Sequence, residues 1–250
     1  MARNENDLTR NPTRFVIIAG VRSGGTLLAH SLDSHPLISC MRGEPYHSAS
    51  EWKVLHSQRR INLITNLTGY LVSGFKLQND QLTYPTTVLY IKELGLKIIK
   101  LTRENILNQA ISLVINNQSR KVEETALKIP QHSFEEVDYE PFKLSPKAII
   151  NACVTLEASN LRTQEILDYH KLSSYDITYE QMTLNSVMIQ SLPYELTGNL
   201  CKYLGVGRYE LRNFLHRINW KPYSESIINW EDIITKVKAT KYGEYLCQPT

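Results

Sequence analysis

The chain has 250 residues, 42% of them hydrophobic and 21% charged, enough to bury a large core in a single domain. A net charge of +3 and a pI of about 8.6 suit a pocket for an anionic small molecule but are too small and too scattered to argue for nucleic acid. Cys40, Cys153, Cys201 and Cys247 form no Cys-x-x-Cys pair, which weakens disulfide-framework and metal readings.

Residues 1–13 read as a polar lead-in that carries acids, unlike a signal peptide. No apolar run reaches the roughly 18 residues of a spanning helix, so a soluble cytoplasmic protein is expected. The run Phe15–Ala19 predicts a buried strand. A glycine-rich loop from Gly20 to Gly25 follows, and Thr26–Ser34 predicts a helix stopped at His35-Pro36. Leu37–Met41 reads as a short strand, Ser50–Leu67 as a helix and Tyr70–Leu77 as a strand. Pro85–Leu94 is a helix with proline in its first turn and Gly95 at its end. Leu96–Thr102 is a strand and Glu104–Asn117 a helix. Residues 128–146 carry three prolines and no clear period, and read as a surface excursion or lid. Ser145–Lys171 is the longest helix, Asp176–Tyr179 a strand, and Leu196–Leu204 a helix closed by Gly205. Residues 208–222 are ambiguous, and Asn229–Lys238 is a last helix. Strands alternating with helices predict an α/β fold of the phosphate-loop type: a mostly parallel sheet with helices on both faces.

Strand, glycine loop and helix is how α/β proteins hold a phosphate. An ATP-type loop, Gly-x-x-x-x-Gly-Lys-Ser/Thr, fits Gly20 and Gly25 but puts Thr26 at the lysine and Leu27 at the hydroxyl that holds Mg²⁺. The loop has Arg22 as its own cation. Further on, Arg103 ends the Leu96–Thr102 strand and Ser112 follows nine positions later. A guanidinium there can grip a phosphate with two bonds, and the hydroxyl adds a third.

Arg22-Ser23-Gly24-Gly25-Thr26-Leu27-Leu28 resembles the 5′-phosphosulfate loop of sulfotransferases that use 3′-phosphoadenosine-5′-phosphosulfate (PAPS), most of all the bacterial carbohydrate enzymes of the nodulation-factor and trehalose type. Thr102-Arg103 to Gln109-Ala110-Ile111-Ser112 resembles their 3′-phosphate segment. Ile177–Met182, Leu200–Val206 and Ser226–Ile233 resemble further family segments, so the likeness covers about residues 14 to 235. The resemblance implies a sulfonate moved to a hydroxyl of a saccharide or glycolipid, with adenosine 3′,5′-bisphosphate as product and no metal required. It assigns the donor to Arg22, Ser23, Gly24, Gly25, Thr26, Leu27, Arg103 and Ser112, with Arg22 also neutralising the leaving oxygen. Glu180 is expected to brace loops near the site. The base is Glu44, in a Gly-Glu pair after the short second strand, with His47 as its rival; a structural Glu44, paired with Arg42 or capping a turn, is the plainer alternative. His35 is expected to cap its helix end or pack. Lys76, in Gly74-Phe75-Lys76, either stabilises the transferring sulfonate or is a surface lysine on an edge strand. Tyr46, Trp52, Phe134 and Tyr139 are candidates to stack on sugar faces, and equally for the core. A homodimer is compatible with the chain. The alternatives are a phosphate-loop small-molecule kinase and a catalytically silent nucleotide-binding protein.

Overall fold

The computed structural model describes residues 12–41, 70–121, 141–183, 190–213 and 222–247. Glu44, His47, the Ser50–Leu67 helix, most of the 128–146 excursion, and the aromatics Tyr46, Trp52, Phe134 and Tyr139 lie outside them.

Five strands form one sheet: β1 (Thr13–Ala19), β2 (Ile38–Cys40), β3 (Val72–Gln78), β4 (Lys97–Thr102) and β5 (Ser174–Thr178). All pairs are parallel, in the order β2-β3-β1-β4-β5. The predicted α/β fold with a parallel sheet is what the chain adopts. β1 is central because it buries both faces: Phe15 to Ala19 are each at most 2% exposed. Its side chains alternate as a strand requires. Phe15, Ile17 and Ala19 join the cluster under α1 (Gly25–Asp33), while Val16 and Ile18 join the one under α2 (Pro85–Glu93). A third cluster packs α3 (Ile106–Lys121) against α4 (Pro146–Tyr169), through Ile111, Ile149 and Cys153.

Local signals set most ends. Ser145 accepts the Ala148 N–H and Pro146 stands in the first turn, so α4 starts where the sequence predicts. The helix Tyr194–Leu204 (α6) stops at Gly205, whose φ of 82° suits a residue without a Cβ. Two ends differ from expectation. Thr178 and Gln181 form a reciprocal cap: Gln181 N donates to Thr178 Oγ1, and Thr178 N to Gln181 Oε1. That cap ends β5 at Thr178 and opens the short helix α5 (Tyr179–Thr183). Gln78 and Gln81 close β3 in the same way and start a 3-10 turn, Asn79–Thr83. After α7 (Tyr223–Ser226) and α8 (Trp230–Lys238), a second 3-10 segment, Lys241–Cys247, packs Tyr242 into the third cluster. Lys76 does not lie on an edge: β3 pairs with both β2 and β1, and Lys76 is 8% exposed. Among the described residues, no helix is long and apolar enough to cross a membrane.

His35 ties the turn after α1 to the segment after α6. Its Nδ1 accepts from Leu37 N at 3.0 Å, so Nε2 carries the proton and donates to Gly207 O at 2.9 Å. Burial pushes the imidazole pKa below its ordinary value near 6.5, outweighing the opposing pull of the Gly207 bond. The unfolded chain therefore binds the proton first as pH falls. His35 keeps its full contribution to stability above the ordinary value and loses it on acidification towards its lower folded value. Urea unfolding between pH 8 and pH 5 should show this loss, reduced in His35→Gln; equal slopes for the two proteins would refute it.

Candidate functional site

The loop from Gly20 to Gly24 leaves the carboxyl end of the central strand, where parallel sheets gather ligands. Ser23 closes it tightly, since its N–H and its Oγ both donate to Gly20 O, at 3.2 and 2.7 Å. Its hydroxyl is thereby turned back into the loop, with 1% of the residue exposed. Arg22 is left-handed at φ 60°, and Gly24, the N-cap of α1, lies at φ 93°. No acid occupies the first turn of α1, which leaves its amides and partial positive charge for an anion. Leu27 belongs to this turn, but its side chain packs in the core, so only its N–H is available to such a ligand.

Two close approaches shape this mouth. A Cβ at Gly24 would lie 2.6 Å from Tyr179 Cδ2, because the Tyr179 ring packs on the loop backbone. A Cβ at Gly25 would lie 2.8 Å from Lys76 Cδ. The Lys76 stem therefore runs over bare backbone, and Nζ donates to Thr26 Oγ1 at 3.1 Å. The sequence of the loop lacks a lysine, and β3 delivers one to it.

The second half of the site docks on the loop from β4 and α3. Arg103 follows β4, and its Nη1 donates to Arg22 O at 3.4 Å. Its guanidinium lies 4.4 Å over the Tyr179 ring, and Nε stands 3.9 Å from Glu180 Oε1. Glu180 also accepts from Glu104 N and Asn105 N, at 2.9 and 3.2 Å, and so fastens the turn that carries Arg103. Ser112, 7% exposed, faces the loop from α3, and Arg22 Nε donates to Ser112 Oγ at 3.0 Å.

Arg22, Ser23, Gly24, Gly25, Thr26, Lys76, Arg103 and Ser112 are thus brought together, while Glu44 and His47 lie outside the described residues. No sequence signal marks Tyr179, beside Glu180, as part of the site: its packing against Gly24 joins distant positions, and no spacing encodes it. Lys76 and Thr26 form one end, Arg103 and Ser112 form the other, and Arg22, bonded to Ser112 and held at its carbonyl by Arg103, links the loop to the second. Two such ends on one loop suit a ligand with two separated anionic groups. Among the described residues, no group of three or more His, Cys, Asp or Glu side chains could hold a metal ion.

No protein-family model matches the chain, and no curated protein does. Among solved structures, the crystal structure of a sulfotransferase from Alicyclobacillus acidocaldarius matches with a TM-score of 0.52. The match covers 95% of this chain and 96% of that one at 16% sequence identity. It is a likeness of fold along nearly the whole of both chains.

Proposed function

We propose that this protein is a sulfotransferase that moves a sulfonate from PAPS to a hydroxyl of a saccharide or glycolipid and releases adenosine 3′,5′-bisphosphate. One observation carries the reading: Arg22 in the loop bonds to Ser112 on α3, ninety positions away, while Arg103 holds the Arg22 carbonyl. That junction joins the loop and the strand-end arginine into one surface, as a nucleotide with a phosphate at each end of its ribose requires.

The donor set fits such a nucleotide by its chemistry. Thr26, the first amides of α1 and Lys76 would hold the 5′ end; Arg103 and Ser112 would hold the 3′-phosphate. Bound PAPS supplies an activated sulfonate. Arg22 stands between the two ends and neutralises the oxygen left on the 5′-phosphate as the sulfur–oxygen bond breaks. Arg does not readily give up a proton, so this help is electrostatic. Lys76 holds the charge on the transferring group. Glu44, or failing it His47, takes the acceptor's proton as the new oxygen–sulfur bond forms.

A second reading, a small-molecule kinase, is favoured by one contact: Lys76 on Thr26 restores the ammonium that the loop sequence lacks. Calorimetric titration of adenosine 3′,5′-bisphosphate, AMP and Mg²⁺-ATP separates the two. The bisphosphate should bind at micromolar concentrations, with AMP weaker by tenfold or more on loss of a charge-assisted contact. Arg103→Ala should erase most of that preference in a folded protein. Equal binding of bisphosphate and AMP would overturn the assignment, and tight Mg²⁺-ATP binding would install the kinase.

A further inference from the structure

Three carboxamides from three elements meet around Gly20, at the root of the loop. Gln109 comes from α3, Asn79 from the 3-10 turn after β3, and Asn160 from α4. Asn79 Nδ2 donates to Asn160 Oδ1 at 3.0 Å, and Gln109 Nε2 donates to Val21 O at 2.7 Å. A Cβ at Gly20 would lie 3.2 Å from Gln109 Nε2, 3.4 Å from Asn79 Nδ2 and 3.5 Å from Asn160 Oδ1.

Gln109 is fully buried, at 0% exposure. Its Oε1 is buried too, without a hydrogen-bond partner among the described residues. For packing alone this is a poor choice, since a methionine would fill much the same space without burying an orphan carbonyl. What the amide offers is a donor aimed at Val21 O. That carbonyl belongs to the peptide just before Arg22, and Arg103 holds the carbonyl just after it. Consecutive peptide units are thus gripped on both sides of the Arg22 Cα. Arg22 sits at φ 60°, a conformation that a side chain bearing a Cβ keeps only when its surroundings impose it.

We propose that Gln109 is a positioning residue for the anion loop. By holding Val21 O it keeps Arg22 left-handed, its guanidinium on Ser112 and the following amides turned toward the ligand. Without that bond the Val21–Arg22 peptide can rotate and carry Arg22 off Ser112. The consequence for binding rests on the loop being the nucleotide site; the consequence for loop order does not.

The test is Gln109→Met, followed by hydrogen exchange of the loop amides without ligand and by bisphosphate titration. Loop exchange should speed up about tenfold on loss of one hydrogen bond, while β1 and β4 exchange as before. Bisphosphate should bind about tenfold more weakly, with thermal stability held. Gly20→Ala reaches the same contact from the other side, because its Cβ presses on Gln109 Nε2; it should shift both readouts the same way, less strongly. It carries the comparison should Gln109→Met not fold. Unchanged loop exchange in both variants overturns the proposal, and so does faster exchange with unaltered affinity. If the parent protein fails to prefer bisphosphate over AMP, the nucleotide reading falls instead, and loop exchange still decides whether Gln109 orders the loop.

Discussion

Lys76→Met should fold like its parent and transfer sulfonate at least about a hundredfold more slowly, the usual cost of removing one preorganised charge donor. The two halves of this expectation come from different parts of one side chain. The lysine stem lies over Gly25, and methionine keeps that apolar stem. The ammonium donates to Thr26 Oγ1 in a residue only 8% exposed, in surroundings where a charge acts more strongly than in water. On the proposed reading, losing it leaves the 5′ end of the site to Thr26 and the helix amides. Thermal unfolding reads the first half. Bisphosphate release from the donor, with an accepted sugar present, reads the second. Transfer at the parental rate would remove Lys76 from the chemistry and leave it as a strut for Thr26.

Gly74→Ala should be the most damaging single methyl in the sheet. A Cβ there would lie 2.4 Å from Cδ1 and Cε1 of Phe15 and 2.5 Å from Cζ. The ring has little room to retreat, since Phe15 is 0% exposed in the cluster under α1. Nor is the backbone at liberty to shift: β3 pairs with strands on both sides, and Gly74 O accepts from Met41 N. Overpacking of this kind costs about 3 kcal/mol. For a chain of this size that is a fall in melting temperature of roughly 6–12 °C. A shift within about 2 °C would mean that the Phe15 ring swings aside cheaply. Gly74 and Lys76 point to the same face of β3, so one glycine–lysine pair serves both packing and the site.

Elements marked by their own residues were legible in the sequence. Ser145-Pro146 opens α4 and Gly205 closes α6 through contacts within a few positions. β1 declares itself as an apolar run buried on both faces, and β4 carries Ile98, Ile99 and Leu101 into the core. The cap at Thr178-x-x-Gln181 is equally local, yet the stretch reads as a continuing strand. Strand order lies beyond such signals: only the pairing of β3 with β2 as well as β1 places Lys76 on an internal strand. The same division holds in the site. Loop, Arg103 and Ser112 announced themselves as motifs, whereas Arg22 Nε on Ser112 Oγ depends on a rotamer and on two docked elements. Ser23 shows how a motif position can mislead about its side chain, since its hydroxyl closes the loop.

Of the five strands the central one is made first, and both its neighbours come much later. Thr13 pairs with Val72, and Phe15 with Lys97. Long loops must close before any of these bonds repays the entropy, so assembly is slow compared with a helical protein of equal length. During that interval Phe15–Ala19 is an unpaired apolar strand, the kind of segment that aggregates in a nascent chain. The glycine loop hangs from its end and gains its contacts to Lys76 and Arg103 only once β3 and β4 are in place. If the loop is the nucleotide site, binding reports completed folding, and a donor analogue added during refolding has nothing to grip until the sheet is built.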